Sequence, residues 1–333
     1  MSRVLLVAPY PPRTCGIGAY AAAQAERLRS EGHEVTVLSP PDGHGDVRVG
    51  FFGGRPFRAA ARLGKDADRI VVHFQPALYF KRRAPLSKIG ASLGLERLCR
   101  TRPQTEILVH EADPPRWWRP DEFLLRRAFR RAPLLLFHTD AERVRFERTY
   151  RVRRPVRLVP HIEGVRVHGR MTRTEARRRL GIPEGERVLV SAGFLHPAKG
   201  HERAIEAVRR AGAGRLYIVG SARDDSPRNE EYARRIRGMA AAAPGVELVE
   251  GFASDEDFDT WIAAADAVVL PYRRSWSSGA LARAHAVGTP AVVTGVGGLA
   301  EQAGPRDIVV GNDDELAAAV AAVLTGRTAE VRP

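Results

Sequence analysis

Three short stretches combine residue types that could hold an anion. Ser277-Ser278-Gly279 closes the loop after an apolar run, Asp266–Leu270, and stands where a helix to Val287 should begin. Its small residues leave the amides near Gly279, Ala280 and Leu281 open to approach, with the positive end of a helix dipole behind them. Lys199 ends FLHPAK, a loop between an apolar run at 187–193 and a helix starting at His201, and its ammonium could pair with phosphate as a point charge. Gly16-Ile17-Gly18 lies between a first apolar run, Arg3–Ala8, and a helix expected from about Ala19 to Ser30. Two glycines let backbone come close to a ligand. The dinucleotide fingerprint is absent, because the third glycine is missing and ten residues separate strand from helix. His73, His110 and His138 fall at or near the ends of apolar runs. Taken singly, each feature also fits an ordinary N-cap, a plain turn, a solvated lysine or a hydrogen-bonded surface histidine.

The elements that must position these residues alternate. Short Val- and Leu-rich runs at Arg69–Phe74, Glu106–His110, Pro133–His138 and Val156–Val159 follow the first two strands. They are continuous rather than alternating, as in strands buried on both faces of a parallel sheet. His161–Thr172 breaks the pattern, and a second alternation begins at Arg187, with strands at Arg215–Gly220, Val246–Glu250, Asp266–Leu270 and Ala291–Thr294. The expectation is two α/β domains, 1–165 and 166–333, with ligands beyond the carboxyl ends of the strands. Charge is one-sided: 1–165 holds 30 Lys+Arg against 17 Asp+Glu, a net of +13, whereas 166–333 holds 23 against 22. An anionic partner for the first half follows. Only Cys15 and Cys99 are present, without metal-ligand spacing, so no structural metal is expected. No run approaches the roughly 18 apolar residues of a membrane span and no signal-peptide pattern is seen, so a cytoplasmic protein is expected.

In combination these pieces resemble the retaining glycosyltransferases of family 4. The likeness rests on PYPPRTCGIGAYAAAQAERLRSEGHEVTVL, ILVHEADP, LVPHIEG, SAGFLHPAKGHERAIEAV and VELVEGFASDEDFDTWIAAADAVVLPYR followed by SGALARAHAVGTPAVVTGVGGLAE, in that order. It implies the GT-B architecture, two Rossmann-like domains with parallel sheets facing across a cleft. It further implies a nucleotide-sugar donor, UDP- or GDP-linked, held mainly by the second domain, and an acceptor held mainly by the first. Lys199 matches the lysine that holds the donor diphosphate, Gly16-Ile17-Gly18 the glycine loop over diphosphate and sugar, and His110 the histidine near the transferred sugar. Gly251 and Phe252 lie where family members contact the base. The resemblance implies no cofactor and no metal for the chemistry.

Three positions depart from the family pattern. Phe194 stands where an arginine is frequent, and Ser275 and Arg283 stand where two glutamates often serve sugar and ribose. A guanidinium only donates hydrogen bonds, so Arg283 cannot accept from a ribose hydroxyl. The alternative is a catalytically silent GT-B protein that binds nucleotide sugar or glycan as a partner subunit. A nucleic-acid partner rests on charge alone, with no recognised motif, and is not expected. Basic residues gather at Lys81-Arg82-Arg83, at Lys88, Arg97, Arg100 and Arg102, and at Arg126, Arg127, Arg130 and Arg131. They point to an anionic acceptor or an anionic membrane surface. With the resemblance, which includes family members that glycosylate lipids, this implies a lipid-linked acceptor and peripheral contact with the inner membrane face. On a helix over 86–99, Leu86, Ile89 and Leu93 share one stripe, which fits either a core-packed or a membrane-surface helix.

Overall fold

The computed structural model describes residues 1–81, 84–113, 119–165, 171–222, 226–251 and 253–327, with backbone alone for 119–122. The chain divides into two compact units, Met1–Val165 and Arg166–Pro333. The first contains strands β1 (Arg3–Val7), β2 (Glu34–Ser39), β3 (Val47–Arg48), β4 (Arg69–Phe74), β5 (Thr105–Val109), β6 (Leu134–Phe137) and β7 (Val156–Leu158). They form one sheet in the order β3-β2-β1-β4-β5-β6-β7. Every pairing in it is parallel. Helices α1 (Gly16–Ser30), α2 (Arg55–Leu63), α3 (Pro76–Tyr79), α4 (Pro85–Thr101), α5 (Arg119–Phe129) and α6 (Asp140–Tyr150) connect the strands.

The second unit begins with α7 (Arg173–Leu180) and continues as β8 (Val188–Ala192), α8 (His201–Ala211), β9 (Arg215–Gly220), α9 (Pro227–Ala242), β10 (Val246–Glu250), α10 (Asp255–Ala264) and β11 (Ala267–Leu270). After these come α11 (Gly279–Val287), β12 (Ala291–Thr294), α12 (Leu299–Gln302), β13 (Ile308–Val310) and α13 (Asp313–Thr325). Its sheet order is β10-β9-β8-β11-β12-β13, again all parallel. This is the doubly wound order, with the direction of winding reversed between β8 and β11. The fold is therefore two Rossmann-like α/β units, each with a parallel sheet.

The apolar runs form strands because both faces of each sheet are covered. Every residue of β5, β8, β11 and β12 is buried. Each buried Val or Leu adds about 1.5–3 kcal/mol of transfer free energy, which polar residues in the same places would forfeit. Three short elements, β3, α7 and β13, leave too few residues for periodicity to reveal. Helix α1 begins at Gly16 rather than near Ala19, so the expected glycine loop is instead the first turn of a helix. Glycine is tolerated there because the first amides of a helix need no partner four residues back. No helix among the described residues is long and apolar enough to cross a membrane.

One buried ion pair ties the second unit together. Arg177 on α7 is 1% exposed, and its Nη2 lies 3.0 Å from Asp266 Oδ2. Its Nε donates to Ala264 O at 3.0 Å and its Nη1 to Glu184 O at 2.6 Å. Asp266 also accepts from the Val188 amide at 2.8 Å, so one carboxylate joins α7, β8 and β11. Removing it would strand a buried guanidinium. Asp266→Ala is expected to cost about 3–5 kcal/mol of stability, read as a lower denaturant midpoint.

Candidate functional site

In the second unit the loops after β8 and β11 emerge side by side at the carboxyl edge, where the sheet order reverses. Gly200 makes their contact possible: at φ +66° it turns left-handed, and an added Cβ would sit 2.3 Å from Pro271 O. The Arg273 amide donates to Ala198 O at 2.9 Å, and Arg203 Nη1 donates to Pro271 O at 2.9 Å. Beneath the first loop, buried His201 donates from Nε2 to Phe194 O at 3.2 Å. Its Nδ1 must then accept from Ser191 Oγ, 2.9 Å away. Burial pushes this imidazole down to about 4, so it stays neutral and keeps that tautomer. Glu202, also buried, accepts from Arg273 Nη2 at 2.7 Å and from the Tyr232 hydroxyl.

This frame sets Lys199 over Tyr272, whose hydroxyl reaches the start of α11. Lys199 Nζ lies 3.8 Å from the centroid of the Tyr272 ring, a cation–π contact. The Tyr272 hydroxyl is in turn 3.2 Å from Ser278 Oγ, the N-cap of α11. Ser278 Oγ accepts from the Leu281 amide at 3.2 Å, and Gln302 holds the Ser278 amide at 2.8 Å and its carbonyl at 2.7 Å. Leu281, expected among the anion contacts, therefore gives its amide to the cap, and its side chain is fully buried. Gly279 and Ala280 carry the remaining amides of the first turn. The Ser275 hydroxyl turns inward to Ser277 O at 2.7 Å. One lysine, two amides and the positive end of a helix dipole thus share this edge of the sheet.

Arg283 does not join it. Its guanidinium, 12% exposed, reaches Asp255 Oδ1 at 2.6 Å and Asp259 Oδ1 at 2.7 Å on α10, and is not a free cation for a phosphate. Gly251 follows β10, with its amide on Gly220 O at 3.1 Å, while Phe252 lies outside the described residues. Tyr272, Gln302, Glu202 and Tyr232 had no sequence signal. They act through neighbours far along the chain, and each resembles an ordinary core or surface residue in its local window.

In the first unit four imidazoles converge at the carboxyl edge. His73 is the last residue but one of β4, His110 and His138 follow β5 and β6, and His161 follows β7. All four surround Tyr20 on α1, with ring centroids 5.1–5.8 Å from it. His73 Nε2 donates to Gln24 Oε1 at 2.9 Å, so its Nδ1 accepts from His110 Nε2 at 3.1 Å. His110 is thereby left with a lone pair on Nδ1. His138 donates from Nδ1 to Val159 O at 2.9 Å and presents Nε2 as an acceptor. Neither that Nε2 nor the buried Tyr20 hydroxyl has a hydrogen-bond partner among the described residues. Burial, followed by the charge of Glu163, raises the Tyr20 pKa, so the phenol remains a donor. Gly16, Ile17 and Gly18 form the uncapped first turn of the same helix, with no acidic residue there. Among the described residues no group of His, Cys, Asp or Glu has the arrangement of a metal site.

Residues 186–326 match the family model for glycosyl transferases group 1. The D-inositol 3-phosphate glycosyltransferase of Nocardioides sp. is 34% identical over 142 residues, which is 38% of this chain and 31% of that protein. That of Geodermatophilus obscurus is 33% identical over 170 residues, 46% of this chain and 37% of the relative. The matched segments thus span about a third of the length of these relatives. Among solved structures, sucrose-phosphate synthase from Thermosynechococcus elongatus superposes with a TM-score of 0.71 at 17% identity, covering 98% of this chain and 92% of the other. Anabaena HepE in complex with UDP-glucose gives 0.70 at 15% identity, covering 99% and 94%.

Two outcomes are expected from this geometry. Arg283→Glu would face three carboxylates toward one another at the α10–α11 contact and is expected to cost about 3 kcal/mol, seen as a lower urea midpoint. Unchanged stability with tighter nucleotide-sugar binding would return position 283 to the donor site. The second concerns pH. Burial, with repulsion from His138, holds His73 down to about 3, and burial holds His138 down to about 4. His110 is also well below 6.5, through burial and then its three imidazole neighbours. An unfolded histidine takes up its proton near 6.5, so between about pH 6.5 and 4 the unfolded chain binds more protons and stability falls with pH. The slope is about 1.4 kcal/mol per pH unit for each such histidine. Denaturant midpoints at about pH 7.5 and about pH 5 check this, and a flat profile would mean these imidazoles titrate freely in the folded state. The second unit thus matches the model for glycosyl transferases group 1 over residues 186–326, and the two parallel-sheet units share the GT-B fold of these solved structures.

Proposed function

We propose that this chain is a retaining glycosyltransferase of family 4, moving a sugar from a UDP- or GDP-linked donor to an acceptor. The observation that carries the reading is the seat in the second unit, where Lys199 lies over Tyr272 and Tyr272 reaches the N-cap of α11. A donor diphosphate there would meet the Lys199 ammonium and the amides of Gly279 and Ala280. As the bond between the anomeric carbon and the phosphate oxygen breaks, negative charge grows on the diphosphate, and donors already fixed in place stabilise it. In this reading the acceptor oxygen bonds to the same face of the sugar, its proton passes to the leaving phosphate, and lysine and amides do the work without a metal ion. HepE with its bound UDP-glucose and the relatives named as D-inositol 3-phosphate glycosyltransferases support it.

The first unit would hold the acceptor and the sugar end of the donor. His110 is neutral, with Nδ1 as its open position, so it would accept a hydrogen bond from a hydroxyl rather than act as a cation. Tyr20 Oη and His138 Nε2 supply one donor and one acceptor, the complement of another hydroxyl. Gly16, Ile17 and Gly18 would bring their amides and the α1 dipole toward the donor phosphates. Gly251 and Phe252 would meet the base.

Labelled UDP- and GDP-sugars test the proposal, with hydrolysis and transfer followed together. Wild-type protein is expected to turn over one of them. Lys199→Ala should lose roughly a hundredfold in turnover, because Phe194 offers no second cation. His110→Ala should damage transfer more than donor binding. Near-normal turnover by folded Lys199→Ala would remove that lysine from the site. One observation favours a second reading, a silent nucleotide-sugar binder: Arg283 is committed to Asp255 and Asp259 and supplies no donor contact. Donor binding without turnover of any nucleotide sugar would select it.

A further inference from the structure

On the outer side of the first unit, α2 and α4 leave a groove of about 460 Å³ between them. Close backbone approach shapes it: an added Cβ at Gly94 would meet Gly54 Cα at 3.0 Å and Phe57 Cδ2 at 3.1 Å. Phe57 and Leu98, both buried, form the apolar floor with Gly94. Around it stand Arg58, Arg62, Arg97 and Arg102, and no carboxylate lines the groove. Arg102 is fixed by its Nε on Ala61 O at 2.9 Å and its Nη1 on Thr101 O at 2.8 Å. Arg58, Arg62 and Arg97 form no ion pair among the described residues. By contrast Arg69, Arg127 and Arg157 of the same unit all face carboxylates within 3.0 Å.

The place of the groove separates it from the histidine cluster. Helix α4 ends at Thr101, shortly before β5 starts at Thr105, and α2 ends at Leu63, shortly before β4. The groove therefore lies toward the amino edge of the sheet, opposite the edge that carries His73, His110 and His138. Exposed apolar side chains are spread along the same two helices, with Phe52 just ahead of the first and Leu86 at the start of the second. Of nine exposed large apolar side chains among the described residues, four are Phe52, Leu63, Leu86 and Leu93, on α2, on α4 or just before α2. Leu86 is 84% exposed and Leu93 46%. Apolar exposure among basic residues marks an interaction surface.

We infer that this face docks on an anionic phospholipid surface, with phosphate headgroups among the four guanidinium groups and Leu86, Leu93 and Phe52 in the boundary of the acyl layer. Guanidinium forks match phosphate oxygens in pairs, and exposed apolar side chains between basic ones are the pattern of an interfacial helix. Of the Lys81-Arg82-Arg83 group, Arg82 and Arg83 lie outside the described residues. Lys88, the next basic residue of that group, is only 8% exposed and unavailable to a surface.

Co-sedimentation of the full chain with vesicles tests it, comparing phosphatidylcholine alone with phosphatidylcholine containing phosphatidylglycerol. Binding is expected only to the anionic vesicles, weaker at high salt. The double variant Arg58→Ser, Arg97→Ser should bind roughly thirtyfold more weakly, at the usual gain per basic residue near such a bilayer. Leu93→Ser should also weaken it. A charge-matched control, Arg148→Ser with Arg153→Ser at exposed positions elsewhere, should bind like wild type. Thermal unfolding confirms that each variant is folded, and unchanged turnover of the sugar donor keeps this result separate from the donor site. Equal loss in both double variants would reduce the effect to bulk charge and overturn the site. Stabilisation by inorganic pyrophosphate that is lost in the Arg58→Ser, Arg97→Ser variant, without vesicle binding, would assign the groove to a soluble phosphate ligand instead, and absence of any binding would also refute the inference.

Discussion

Parallel pairing throughout both sheets is the constraint on which the rest depends. When every strand points the same way, every loop that follows a strand leaves from one edge. His73, His110, His138 and His161 are far apart in sequence, yet they are neighbours because β4, β5, β6 and β7 are adjacent in order. Lys199 and Ser278 both reach Tyr272 for the same reason, since β8 and β11 pair directly. Parallel sheets also need both faces covered by helices, and that requirement produces the continuous apolar strands.

Desolvation then decides what the gathered groups can do. Four imidazoles packed around one phenol cannot all hold protons, and burial keeps His73, His110 and His138 neutral. Their role is consequently directional hydrogen bonding, fixed by a tautomer chain that starts at Gln24 and at Val159 O. Charge is permitted inside only where it is matched. Arg177 with Asp266 and Glu202 with Arg273 both serve as ties between elements, and the second holds the loop that presents Lys199.

The excess of arginine resolves into two populations. Many guanidinium groups are internal ties to carboxylates, and Arg283 proves to be one of these despite its place in a donor motif. Others, around the α2–α4 groove, have no such partner among the described residues. Net charge could not separate the two, because it counts both alike. The same lesson holds for α4: Leu86 and Leu93 share a stripe that fits either a core or a surface, and packing leaves them outside.

Local pattern was sufficient for the architecture. Apolar runs of strand length, separated by amphipathic segments, marked Arg69–Phe74, Arg215–Gly220, Val246–Glu250 and Ala291–Thr294 with the same limits the structure shows. The small-residue start of α11 and the lysine after FLHPA were equally visible, since a helix start and a lysine are local facts. Only tertiary structure revealed that Tyr272 joins them, that Gln302 pins the cap and that Leu281 spends its amide there. It alone turned the Gly16–Gly18 stretch into the first turn of a helix and gave Arg283 to α10. The reason is physical: a residue's type fixes which bonds it can make, whereas its partners are chosen by chain segments that packing brings together from tens of residues away.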